Sequence, residues 1–134
     1  MIPDFDYDAH LKEAPDVWKQ RELHWHCYLS RMDGSTYGNE AERRDLRSPA
    51  APKVIRDWLK KPQSALMLTP KGPGDAVEWL RGQWRGTGFF NNDRPYDQAL
   101  HDLQSGSDVC WGEWISGGSV HLHTAVVSTA QKCH

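Results

Sequence analysis

A period-two alternation near both ends of the chain restricts its architecture more than any other feature. Residues 22–32 (ELHWHCYLSRM) put Leu23, Trp25, Cys27 and Leu29 on one side of an extended backbone, and His24, His26, Tyr28 and Ser30 on the other. Far along the chain, residues 119–128 (SVHLHTAVVS) repeat the order apolar-His-apolar-His, so His121 and His123 also share one side of a strand. Strands of this kind need a second layer of structure to cover their apolar face.

The segments between them supply it. Val54, Ile55, Trp58 and Leu59 form one stripe over residues 51–61, which predicts a helix with Pro52 in its first turn and Pro62 at its end. Residues 64–69 (SALMLT) predict a short strand, apolar enough for the centre of a sheet. Beyond the turn 70–74, Asp75 is expected to cap a helix carrying Val77, Leu80 and Trp84. Tyr96, Ala99, Leu100 and Leu103 predict a further helix over 95–104, stopped at Gly106. Residues 108–115 and 119–128 flank Ser116-Gly117-Gly118 and predict a C-terminal β-hairpin. Near the N-terminus, Pro15 opens a short helix that turns Val17 and Trp18 inward, while 33–50 and 85–94 read as loops.

The expected fold is therefore α+β, a two-layer sandwich in one domain over residues 1–134. Its sheet has about four strands, mixed or antiparallel, with helices on one face. A chain of 134 residues buries enough surface to fold without a disulfide or metal. Cys27, Cys110 and Cys133 are odd in number, widely spaced and without a CxxC pair, which reads as reduced thiols. The N-terminal stretch is acidic and lacks the apolar core of a secretory signal, and no apolar run has membrane-spanning length. A cytoplasmic protein is expected.

A net charge of −2 argues against a general polyanion binder. The charge is uneven, however. Residues 41–62 carry Arg43, Arg44, Arg47, Lys53, Arg56, Lys60 and Lys61 against Glu42, Asp45 and Asp57. Such a block is more often a solvated face than a nucleic-acid footprint, so nucleic-acid binding is the weakest functional class.

The two HxH strands are the sharpest chemical signal. If they approach each other, His24, His26, His121 and His123 line one surface, with Glu113 as an accessory carboxylate. Imidazoles serve there as proton donors and acceptors, or as ligands for Zn, Fe, Ni or Mn. Tyr28 joins that face, and one of Trp111 and Trp114 does, since a regular strand sends those two to opposite sides. An aromatic and imidazole floor suits a planar ligand. The plainer reading is a polar sheet face with no chemistry of its own. The layout resembles in part the two-histidine phosphoesterases, where a strand-borne His-apolar-Thr/Ser motif occurs in each half of the chain. Here His26 and His123 stand where those enzymes carry a hydroxyl, which puts phosphate binding in doubt. Cupin-type metal sites also use HxH, but the strands of a closed barrel are missing.

The leading expectation is a small-molecule-binding protein or small enzyme. Its histidine face is washed by solvent, closed by the loops 33–50 and 85–94, or buried against a second copy of the chain. The rival is a non-catalytic, immunity-type interaction module that grips a protein partner through exposed Trp and the basic 41–62 segment, Arg43 and Arg44 in particular.

Overall fold

The computed structural model describes residues 16–87 and 94–130. The alternating run becomes β1 (His24–Met32), preceded by a single helical turn, α1 (Val17–Gln20), from which Trp18 leans on Trp25. The expected loop holds two short helices, α2 (Gly34–Tyr37) and α3 (Glu40–Arg44). Each is capped by a side chain: Asp33 accepts from the Thr36 N–H at 2.7 Å, and Asn39 from the Glu42 N–H at 3.0 Å. Next come a 3-10 turn (Ile55–Lys60), β2 (Leu66–Leu68), α4 (Pro73–Trp84), α5 (Arg94–Gln104), β3 (Val109–Ile115) and β4 (Val120–Thr129). The four strands make one antiparallel sheet in the order β2-β1-β4-β3, and β3-β4 is the expected C-terminal hairpin.

Three expectations change. The helix over 51–61 coils only at Ile55–Lys60, as a 3-10 turn. Ala50, Ala51 and Pro52 are buried, and Val54 has an extended backbone, so few residues remain before Pro62. The apolar run at 64–69 yields a three-residue edge strand rather than a central one, with Met67 and Leu68 exposed. Pro62 and Pro70 limit its length, and β4 takes the central place beside β1. Helix α4 starts at Pro73 after an N-cap at Gly72, leaving Asp75 in the first turn. Proline suits that first helical position because its missing N–H would have no partner there. Expectations for residues 1–15, 88–93 and 131–134, including Cys133, lie outside the described residues.

Two separate cores result, one on each side of the sheet. Trp25, Cys27, Val109 and Val126 pack against Ala76, Val77 and Leu80 of α4 and Tyr96, Ala99 and Leu103 of α5. On the histidine side, Tyr28, Met32, Ala125 and Val127 meet Ala50, Ala51 and Trp58. The chain's own 45–65 region thus covers the second face.

One member of the basic block, Arg56, pins that cover to the sheet. Lys53 and Arg44 pair with Glu40, and Lys60 with Asp57. Arg56 reaches both oxygens of Asp108 and the Ser128 carbonyl, while Asp108 also accepts the Ser128 N–H at 2.8 Å. The buried Lys61 ammonium donates to the Ser48 carbonyl. Arg56 thus ties the cover to the sheet, whereas Arg44, Lys53 and Lys60 keep side chains half or more exposed in local ion pairs. None of the described helices is long and apolar enough to cross a membrane.

Candidate functional site

Antiparallel pairing of β1 with β4 decides where the histidines stand. His24 faces Thr129 and His26 faces Val127, whereas His123 faces Ser30 and His121 faces Met32. All four lie on one face, as alternation requires. The two pairs occupy opposite halves of that face, with Tyr28 and Ala125 between them. Four residues of strand, about 13 Å, separate the level of His26 from that of His123. The four imidazoles therefore do not line a single pocket. Among the described residues, no three His, Cys, Asp or Glu side chains are grouped so as to hold a metal ion.

The first pair forms a file along β1. His24 Nε2 lies 3.2 Å from His26 Nε2, and His26 Nδ1 lies 3.2 Å from the Tyr28 hydroxyl. A nitrogen-to-nitrogen contact needs a proton on one side and a lone pair on the other, so both rings cannot be imidazolium while it stands. Burial also holds His24 below its ordinary range. Tyr28 itself is buried, its ring stacked on Trp58 at 4.8 Å and 13°. It is part of the core, not an open binding surface.

The second pair lies in richer surroundings. His123 Nε2 is 3.3 Å from Cys110 Sγ on β3, and its ring is 6.3 Å from that of His121. Burial first, then His121 and Arg43, push the His123 imidazole down to about 4. Burial pushes the Cys110 thiol up to about 11. A neutral thiol donating to a neutral imidazole satisfies both values, and no thiolate nucleophile forms near neutral pH. The fold gives Cys110 an imidazole partner and keeps the pair uncharged.

His121 sits beneath two aromatic rings. Tyr37 of α2 is 4.4 Å away and Trp114 of β3 is 5.2 Å away, and these two meet edge-on at 5.2 Å. Both are 37% exposed, so they form the outer surface of the site. The Arg43 guanidinium lies 4.9 Å from the Tyr37 ring and donates to the carbonyls of Ala51 and Tyr37. His121 is 93% buried, and its Nδ1 has no hydrogen-bond partner. Burial, followed by Arg43, holds its imidazole below the ordinary range, with Glu113 opposing. Compared with protein families, curated proteins and solved structures, the chain matches none.

Two expected members stand elsewhere. Glu113 registers with Leu122 and Trp111 with Thr124, which places both on the helix-covered side of the sheet. Trp111 packs there against Tyr96 at 5.4 Å and Trp84 at 6.5 Å. Glu113 is exposed and does not join the histidine cluster. Tyr37 gives no signal as a site residue because it lies in a stretch that reads as a charged loop, and Arg43, expected only as a contact for a protein partner, stands instead beside the Tyr37 ring and the His121 end of the sheet.

Gly112 makes the site's geometry feasible. It pairs with His123, and a Cβ placed on it would fall 2.7 Å from His121 Cε1. The ring is already confined by Tyr37 and Trp114. Gly112→Ala should therefore displace His121 and cost about 1–3 kcal/mol, as overpacking typically does. Urea unfolding and the His121 ring resonances would measure both effects; unchanged resonances would disprove the confinement.

Proposed function

We propose that the chain binds a small molecule at the His121 end of the sheet, with His121 as the ring that exchanges a hydrogen bond or proton with it. The observation carrying this reading is the buried, unpartnered Nδ1 of His121 beneath the exposed Tyr37 and Trp114 rings. A buried polar nitrogen without a partner costs about 1–3 kcal/mol, and a bound molecule would remove that cost. A neutral imidazole both donates and accepts, so it suits acid–base work near neutral pH. Access requires the Tyr37 ring, carried on the short surface turn α2, to swing away from His121. His24 and His26 have no part in this site.

An interaction module is the second reading, because the same exposed Tyr37 and Trp114 would suit a protein partner. The basic segment remains open to such a partner, since Arg44, Arg56 and Lys60 are more than half exposed even in their ion pairs.

A ligand-observed NMR fragment screen on the wild type and on His121→Ala separates the two. The expected result is a set of fragments whose binding disappears in the variant while its melting curve remains cooperative. Identical fragment sets would sink the small-molecule reading. Loss of partner binding on Trp114→Ala, with indifference at His121, would favour the module.

A further inference from the structure

The ligand class follows from which charges on the histidine face have a carboxylate and which do not. Arg44, Lys53, Arg56 and Lys60 each pair with an acidic side chain. Arg43 does not: among the described residues its hydrogen bonds run only to the Ala51 and Tyr37 carbonyls. It is half-buried, and its positive field reaches Cys110, His121 and His123. These three are uncharged at neutral pH, and the Glu113 carboxylate, whose field also reaches His121, stands on the other side of the sheet. Held by two carbonyls and half exposed, this guanidinium has no carboxylate partner among the described residues, so an incoming anion would gain a charge-assisted pair there. The Tyr37 ring meanwhile touches both that guanidinium and the His121 ring, so it fills space that another flat group would fit.

We propose that the site takes a small planar carboxylate, its anionic end on Arg43 and its ring in the position now held by Tyr37, against His121 and Trp114. This rests on the small-molecule reading above and narrows it. A guanidinium recognises a carboxylate through two parallel hydrogen bonds, and the aromatic wall supplies contact area for the ring.

The test uses the full chain, labelled with 15N and titrated separately with benzoate and benzamide, two probes of the same shape and different charge. Benzoate is expected to shift the Trp114 indole N–H and the His121 ring, and benzamide to leave both in place. Arg43→Gln should weaken benzoate about tenfold or more, as loss of a charge-assisted pair does, and Arg43→Lys should retain part of the affinity. Equal binding of benzamide would overturn the carboxylate class while leaving the small-molecule site intact. Shifts confined to residues away from Trp114 and His121, or none at all, would overturn the proposal itself; the fragment screen on His121→Ala then judges the broader reading separately.

Discussion

Trp58→Ala will destabilise the protein by about 3–5 kcal/mol, the range found when a buried Trp or Phe is cut to Ala. Trp58 is 1% exposed, stacks on Tyr28, lies 6.1 Å from the His123 ring, and has the Lys61 ammonium 5.4 Å above it. It is the largest side chain that the cover inserts against the sheet. Urea unfolding measures the loss, and amide exchange locates it: residues 45–61 should lose protection before the helix side does. Trp58→Phe should be milder than its change in volume alone implies. The Trp58 Nε1 is buried without a hydrogen-bond partner, so no bond is forfeited. A loss below about 1 kcal/mol on Trp58→Ala would mean that something other than this ring anchors the cover.

Acid should weaken the fold in a window set by His123. Its ordinary value is 6.5, and the native imidazole is pushed down to about 4. Above pH 6.5 the ring is neutral in both folded and unfolded chains, and its protonation contributes nothing to the difference between them. As pH falls towards 4, the unfolded chain takes up a proton that the native state refuses, so stability declines. A shift of this size corresponds to roughly 3 kcal/mol by the lower end of the window. His24 and His121 are displaced in the same direction and add to the slope. Asp33 and Glu40 are held below the ordinary carboxylate range by hydrogen bonds from Thr36 and Lys53, so their contribution is lost at still lower pH. Unfolding midpoints between pH 7.5 and 4.5 test this, with His123→Gln as control. A flat profile in the wild type would contradict a buried neutral imidazole, and an unchanged slope in the control would assign the effect to other groups.

Which residues share a face could be read from the sequence, because alternation is a local property. Trp25 and Cys27 inward on one side, with His24, His26 and Tyr28 on the other, follow from strand geometry alone and recur in the structure. The hairpin and the two long helices were legible for the same reason. Register was not. Whether His26 would meet His123 or Val127 depends on how two strands far apart in sequence slide past one another, and no local pattern encodes that. The same limit explains β2: six apolar-rich residues look like a central strand until the better-matched β4 occupies that position. Tyr37 was invisible, and Arg43 legible only as one cation of a basic block, because their places beside His121 come from tertiary docking of a polar segment. Glu113 was misplaced by a single strand step, which is enough to move a side chain through the sheet.

The sheet order also sets when this protein becomes a protein. β1 meets its principal neighbour only when β4 exists, so the first strand made has to wait for the last. During synthesis α4 and α5 can coil early, but they have no finished surface to rest on until residues 120–129 have emerged. Non-local strand pairing of this kind slows folding, since the long intervening loop must close before any contact rewards it. A break or deletion within β4 would leave β3 with no strand beside it and β1 with only the three-residue β2, so one lesion would open the sheet on both sides.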